Sequence, residues 1–318
     1  MRAASACGNL MLPEPFQNAL VLTGPTGSGK TRFGLELAEM LGAEIISMDS
    51  MAVYRGMDIA TAKPTTAERN RIRHHLVDEL NPWESASVAW WLQRAAECCG
   101  AIEKRGQRVL FVGGTPLYLK ALLCGLFDGP PADVQLRQRL TFEAEQSGVD
   151  ALHKRLAAVD PVTAARLHPN DTRRVVRALE VWELTQKPLS AWQTQWPASD
   201  NESLVAGPPR VIWLDLPREE LYKRINARVD AMFKEGLIDE VKALRNLPEP
   251  VSREACQALG YKEVFAHLEG QATLVETIAR VKQYTRNFAK RQITWFRHLT
   301  GCQPATEQLT WKLWKPTI

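Results

Sequence analysis

The 318-residue chain lacks most of the features that mark specialised protein classes. Its six cysteines, Cys7, Cys98, Cys99, Cys124, Cys256 and Cys302, are scattered and form no Cys-x-x-Cys pair. That argues against a zinc knuckle, and a disulfide framework is not what holds a chain of this size together. The adjacent Cys98 and Cys99 read as two positions of one helix, one of them buried. No uninterrupted apolar run approaches membrane-spanning length, and the segment from Met1 to Cys7 has no signal-peptide core. The expectation is a cytoplasmic protein with no membrane partner. Net charge is only +4, so affinity for nucleic acid would have to come from local clusters of Lys and Arg. His74 and His75 have no matching ligand set elsewhere and read as structural, and neither Asp78 nor His168 is given a catalytic role. No repeat or low-complexity tract stands out, and the ten tryptophans read mainly as packing.

What is present begins with Gly24-Pro25-Thr26-Gly27-Ser28-Gly29-Lys30-Thr31. An apolar run, Ala19 to Thr23, precedes it, and an amphipathic one from Phe33 follows, giving the strand, glycine-rich loop and helix of a P-loop. Glycines let the loop curl so that successive amides face a phosphate, and the following helix adds the positive end of its dipole. Lys30 supplies a cation, and the Thr31 hydroxyl is placed for a magnesium ion. Gly24, Thr26, Gly27, Ser28, Gly29, Lys30 and Thr31 are therefore expected to bind a di- or triphosphate, which under the resemblance given below is a diphosphate, with Thr31 as the metal-binding position.

Strands expected at Ala43–Met48 and Arg108–Val112, with a helix over Ser87–Lys104, extend the pattern into an α/β fold with a parallel sheet. In such sheets ligands sit at the carboxyl ends of the strands. From Asp128 to about Pro197 no strand signal appears. It returns at Arg210–Leu216 after the turn-rich Ala206-Gly207-Pro208-Pro209, and helices then run to about His298, interrupted near Pro248-Glu249-Pro250. The expected organisation is a P-loop core over residues 1–127, an all-helical insertion over 128–200, and the rest of the core with basic C-terminal helices over 201–318.

Nucleotide-hydrolysing P-loop proteins usually end an apolar strand in an acid that helps hold magnesium. Here the strand at 108–112 ends in Gly113-Gly114-Thr115-Pro116-Leu117-Tyr118, which weakens a kinase reading without removing it. Asp49, at the tip of the second strand, could position a substrate and accept a proton, or could equally be a turn or capping residue. Arg173 and Arg177 lie one helical turn apart after Asn170-Asp171 and could face phosphates or simply solvent. Lys282, Arg286 and Lys290 make a basic stripe on the last long helix, which the resemblance given below assigns to RNA backbone, while Tyr284, Phe288, Trp295 and Phe296 between them read as packing.

Taken together, these blocks resemble the bacterial tRNA dimethylallyltransferases, the isopentenyl-tRNA transferase family. The resemblance is carried by the P-loop, the stretch from Asp49 to Gly56, Ala62-Lys63-Pro64, His74-His75-Leu76-Val77-Asp78, the Gly113–Leu122 block, and His168 to Glu180. It continues through Leu259-Gly260-Tyr261-Lys262-Glu263 and Ala289 to Arg297, in order along nearly the whole chain. Ala60 stands where the family usually has Gly, and Phe288 where Tyr is common.

The resemblance implies transfer of a dimethylallyl group from its diphosphate to N6 of adenosine 37, in tRNAs reading codons that begin with U. The P-loop would then hold a leaving group, with no phosphoryl group moving, and Mg2+ as cofactor. It implies catalytic roles for Asp49 as general base, Thr115 at the reaction channel and Arg224 as a second diphosphate clamp. Contacts with the anticodon stem-loop would come from Asp49, Ser50, Met51, Ala52, Thr115, Arg137, Arg173, Arg174, Val175, Val176 and Arg177, and from Gln257, Ala258, Leu259, Gly260, Tyr261 and Lys262. The target base would have to leave the stacked loop to reach an internal channel. A monomer is expected. A small-molecule or nucleoside kinase, a nucleotide-switched RNA-binding protein, and a prenyltransferase for free adenine nucleotides remain the alternatives.

Overall fold

The computed structural model describes residues 9–10, 12–127, 129–193, 204–205 and 208–315. Its main sheet has six strands: β1 (Leu20–Thr23), β2 (Ala43–Ser47), β3 (His74–His75), β4 (Arg108–Gly113), β5 (Val211–Leu214) and β6 (Cys302–Ala305). They run in the order β3-β2-β4-β1-β5-β6, every pair parallel. β1 lies in the middle, with Leu22 in register with Val112 on one side and Ile212 on the other. β2 and β5 are buried along their whole length, as expected of a parallel sheet covered on both faces.

The helices are α1 (Lys30–Leu41), α2 (Thr66–Arg71), α3 (Val88–Lys104), α4 (Pro116–Cys124), α5 (Val134–Ser147), α6 (Val149–Val159), α7 (Pro161–Arg166), α8 (Thr172–Thr185) and α9 (Leu189–Trp192). After β5 come α10 (Arg218–Lys234), α11 (Leu237–Arg245), α12 (Arg253–Cys256), α13 (Tyr261–Leu268) and α14 (Leu274–His298), and α15 (Glu307–Trp314) follows β6. One core cluster packs Phe33, Leu35 and Leu37 of α1 and Trp314 of α15 against Leu22, Leu110 and Ile212 of the sheet. Ser87 caps α3 by accepting the Trp90 amide, so the Ser87–Lys104 reading was off by only the cap residue. Within α3 both Cys98 and Cys99 are buried, where one had been expected.

β3 and β6 are the strands of this sheet that sequence patterning missed. Each is very short or interrupted by a strand breaker: β3 has two residues, and β6 contains Pro304. Both lie at the sheet edges, where a missing ladder hydrogen bond is tolerated.

The chain divides into two compact units, residues 1–123 with 202–318, and residues 124–201. The borders expected at 127/128 and 200/201 involve residues 128, 200 and 201, which lie outside the described set, as do Ala206 and Gly207 of the expected turn. Every named element among the second unit's described residues is a helix, and the unit has its own core, built from Leu140, Leu152, Leu156, Val175, Val176 and Leu179.

Candidate active site

A cavity of about 360 Å³ opens at the carboxyl ends of the strands in the α/β unit. Its walls bring together the P-loop, the tip of β2, the turn after β4 and the inner faces of α10 and α14. The P-loop runs directly from β1 into α1, with Gly27 and Gly29 at φ 80° and 88°. Both are left-handed conformations that favour glycine. At Gly27 space is limiting as well, since a Cβ there would come within 2.9 Å of Ile225.

Lys30 lines the cavity, and burial lowers its pKa to about 8, with the Asp49 charge opposing that shift and Arg228 reinforcing it. Arg228 also lines the cavity. Its nearest partners, Thr26 Oγ1 and the Ala60 carbonyl, are both 3.5 Å away, and its Nε has no hydrogen-bond partner. Burial lowers the Arg228 pKa, and Asp49 opposes that shift too. Two cations, one of them under-bonded, thus stand beside a ring of backbone amides: an arrangement suited to a polyanion. Ser28 Oγ is likewise buried and unpartnered.

At the tip of β2, Asp49 accepts the Met51 amide at 2.9 Å and leaves its other carboxylate oxygen available. Thr115 is tied to the same tip: its Oγ1 accepts the Ser50 amide at 3.0 Å, and its own amide donates to the Met48 carbonyl at 3.2 Å. The two glycines before it explain why no acid ends β4. A Cβ at Gly113 would stand 2.1 Å from the Met48 carbonyl oxygen, and one at Gly114 would stand 3.0 Å from the Gly24 carbonyl and 3.2 Å from Lys30 Cε. This turn packs against both the tip of β2 and the P-loop, and a side chain here would push them away.

The expected diphosphate residues Gly24, Thr26, Gly27, Ser28, Gly29, Lys30 and Thr31 form one continuous loop, and Thr26, Lys30 and Thr31 line the cavity. Asp49, Ser50, Met51, Ala52, Thr115, Gln257, Ala258 and Leu259 line it as well. Arg224 is placed differently. It lies outside the cavity lining, half exposed and bonded to Glu220 at 2.8 Å, while Arg228 one turn later faces inward. Sequence reasoning did not single out Arg228. Its signal was the burial of its neighbours Ile225 and Val229, which turns that face of α10 toward the site.

The outer wall is a strap over residues 57–64. Lys63, only 3% exposed at its side chain, donates to Asp58 at 2.7 Å, to Asp78 at 2.6 Å and to the Tyr54 carbonyl. Glu240 accepts the amides of Asp58 and Ile59 and the hydroxyl of Tyr261. That bond and its burial push the Tyr261 pKa up and give the side chain a packing role; it is not exposed to a partner. Gly260 is in the left-handed region at φ 91°, with a would-be Cβ 3.0 Å from Ala60, and Lys262 is exposed.

The surface residues expected to contact RNA sort into two groups. In the helical unit Arg173 and Arg174 are exposed, but Val175 and Val176 are buried in the core and offer no side-chain contact. Arg137 and Arg177 both bind Glu180, which has no exposed side-chain surface. Arg137 does so through two bonds of 2.9 and 3.0 Å. Burial would raise the Glu180 pKa, yet bonds from Arg137, Arg177 and the Asp133 amide hold it below the ordinary carboxylate value. On α14 the basic stripe divides: Lys282 pairs with Asp230 and Arg286 donates to Asn226 at 2.6 Å, whereas Lys290 and Arg291 are exposed. The interleaved aromatics also divide, with Phe296 buried, Phe288 at the cavity and Tyr284 and Trp295 exposed, correcting the packing assignment for those two.

Among the described residues no helix is long and apolar enough to cross a membrane. Comparison with known proteins gives a consistent result. The IPP transferase family model matches residues 52–299, and an isopentenyl transferase model matches residues 17–81. A tRNA dimethylallyltransferase of Geobacter metallireducens is 47% identical over 289 residues, covering 90% of this chain and 92% of the relative. The crystal structure of the full-length tRNA isopentenylpyrophosphate transferase of Bacillus halodurans is 41% identical, with a TM-score of 0.64, covering 91% of this chain and 90% of that one. A eukaryotic dimethylallyltransferase acting on tRNA is 28% identical with a TM-score of 0.71, covering 93% and 76%.

Proposed function

The chain belongs to the IPP transferase family, and from that premise we propose how its cavity performs prenyl transfer to tRNA. The protein is a tRNA dimethylallyltransferase by its relatives, and its relatives supply the reaction class. The observation that carries the assignment of roles is the gathering of two sets of groups in one cavity. Lys30, Arg228 and the P-loop form one set and Asp49 and Thr115 the other, in one cavity lining where the Asp49 charge acts on both cations.

In the proposed reaction, dimethylallyl diphosphate places its phosphates in the P-loop and its apolar tail against Ile225, Val229, Met232 and Val281. N6 of an extruded adenosine, taken to be adenosine 37 of tRNAs reading codons that begin with U, attacks C1 of the allyl group. The C1–O bond breaks and diphosphate leaves. Lys30, Arg228 and the loop amides stabilise the charge that builds on the leaving oxygens, where fixed dipoles in a water-poor site act most strongly. Asp49 accepts the N6 proton, and Thr115 fixes the Asp49 tip through the Ser50 amide. Arg224 binds Glu220 through Nε and sets its NH1 beside Gly29, 3.6 Å from a would-be Cβ there, so it is proposed to join the cradle from the outer side of the P-loop.

Thr31 offers an oxygen ligand to Mg2+ at the cavity, and no cluster of three or more acidic, His or Cys ligands exists among the described residues. That donor set fits an ion held mainly by diphosphate oxygens and water. When bound, the ion would add charge stabilisation to the leaving group. Arg173 and Arg174, with Lys290 and Arg291, are the exposed cations proposed to meet RNA phosphates. The protein is proposed to act as a cytoplasmic monomer.

The test is a direct transfer assay with dimethylallyl diphosphate, Mg2+ and an unmodified anticodon stem-loop, read by mass spectrometry of the RNA. A gain of one dimethylallyl group, lost when adenosine 37 is replaced, supports the reading. Transfer of phosphate from ATP instead would replace it with the kinase alternative.

A further inference from the structure

We infer that Gln292 of α14 is a positioning residue that sets the spacing between the diphosphate cradle and the acceptor side of the cavity. Its carboxamide uses both ends: Oε1 accepts the Thr26 amide of the P-loop at 2.9 Å, and Nε2 donates to the Gly114 carbonyl at 2.6 Å. The orientation is forced, because an amide N–H needs the oxygen and a carbonyl needs the NH2. The side chain is 2% exposed, so neither bond competes with bulk water.

The residues on either side of this bridge are the ones that have to be aligned. Thr26 lies within the P-loop, four residues before Lys30, and its hydroxyl is one of the two nearest partners of Arg228. Gly114 precedes Thr115, whose hydroxyl and amide hold the tip that carries Asp49. The strands beneath are already tied by the Thr23 hydroxyl donating to the Gly113 carbonyl at 2.8 Å. Gln292 makes the tie beyond the strand ends, where the loops would otherwise move independently. A Cβ at Gly114 would stand 2.8 Å from Gln292 Nε2 and 3.0 Å from the Gly24 carbonyl, so a side chain there would have to displace the carboxamide. An ordinary core position at this point of a helix would be filled by an apolar side chain with no unsatisfied groups. A carboxamide bonded to two loops of a reaction site does what packing does not: it fixes a distance. Misplacement of reacting groups by about 1 Å can cost on the order of 100-fold in rate.

The inference rests on the P-loop holding the donor's diphosphate. Its test uses the full chain with Gln292→Met, which keeps length and removes both bonds, and Gln292→Glu, which can still accept from Thr26 but cannot donate to Gly114. Single-turnover and steady-state prenyl transfer, inorganic diphosphate binding and stem-loop binding are measured beside thermal unfolding. Expected for Gln292→Met is a kcat about 100-fold lower, with KM for both substrates within about threefold. Gln292→Glu should lie between the two in kcat, with a lowered unfolding temperature because its buried carboxylate faces the Gly114 carbonyl. An unchanged kcat in either folded variant would overturn the inference, as would a raised donor KM with kcat intact, since that places Gln292 in donor binding alone. If Gln292→Met does not fold, Gln292→Glu decides by the same criterion. A wild-type protein that binds diphosphate but transfers no prenyl group would sink the functional reading itself, a separate outcome.

Discussion

A Cβ added to Gly113 would sit 2.1 Å from the carbonyl oxygen of Met48, closer than any real side chain approaches a backbone. β2 and β4 meet here, immediately before Asp49 on one strand and Thr115 on the other. Gly113→Ala is therefore expected to destabilise the protein by roughly 3 kcal/mol through overpacking and to abolish transfer in whatever folds. Gly100, in α3 with nothing within 4 Å of its would-be Cβ, is the control. Gly100→Ala should gain about 0.5–1 kcal/mol from helix propensity and leave activity unchanged. Denaturant unfolding of the two variants checks both.

Asp49→Asn keeps an oxygen for the Met51 amide, so the tip is expected to stay folded. With the base removed, kcat should fall by about 10²–10⁴. Stem-loop affinity should stay within a few-fold. Equal single-turnover rates for the variant and wild type would remove Asp49 from proton transfer.

Burial brings the Lys30 pKa down to about 8 from an unfolded-chain value of 10.5, which gives two pH dependences. Without donor, below pH 8 both folded and unfolded chains hold the proton, and the folded state bears the full cost of a buried charge. That cost fades as pH rises from 8 to 10.5, because only the unfolded chain then stays protonated. Diphosphate binding behaves oppositely: it favours the ammonium, so affinity should fall above pH 8, with proton uptake. Calorimetry at pH 8.5 in two buffers of different ionisation enthalpy measures that uptake, and Lys30→Met should abolish it.

Glu180→Gln leaves Arg137 and Arg177 without the buried carboxylate both now bind. The helical unit should lose roughly 1–3 kcal/mol, less than for a fully buried pair because both arginines are partly exposed. Its depressed pKa makes the wild-type contribution present above the unfolded-chain value of 4.5 and lost as pH falls below it. The difference in unfolding free energy between wild type and variant should therefore begin to narrow once pH falls below 4.5. If Arg137 and Arg177 meet RNA as a preset pair, stem-loop affinity falls in the variant while that for diphosphate does not.

The parts of the site that could be read from sequence are those encoded by neighbours in the chain. Gly24 to Thr31 announces itself because glycine spacing, Lys30 and the flanking periodicity all occur within one strand-to-helix passage. Asp49 and Thr115 stand at strand ends, where parallel sheets gather ligands. Arg228 and Gln292 were not legible, since each is one polar residue on a long amphipathic helix, and only the tertiary fold decides which turn faces the cavity. Arg224 and Arg228 on α10 illustrate this, as a single turn separates a side chain beside Gly29 from one that lines the cavity. Glu180 was hidden for a related reason: nothing local distinguishes a buried carboxylate from the solvated ones around it. The β6 strand carries Pro304, which argues against a strand until its place at the sheet edge is known.

The strand order has a consequence for the nascent chain. β1 is made early, yet its partner on one side, β5, is not synthesised until Val211. When β4 leaves the ribosome, four of the six strands can already pair, and the P-loop hangs from a strand with one bare edge. That edge stays open while the whole helical unit is translated. A chaperone that screens unpaired strands therefore has its longest opportunity between residues 113 and 211, and truncations ending in that interval should be more prone to aggregate than chains that include β5.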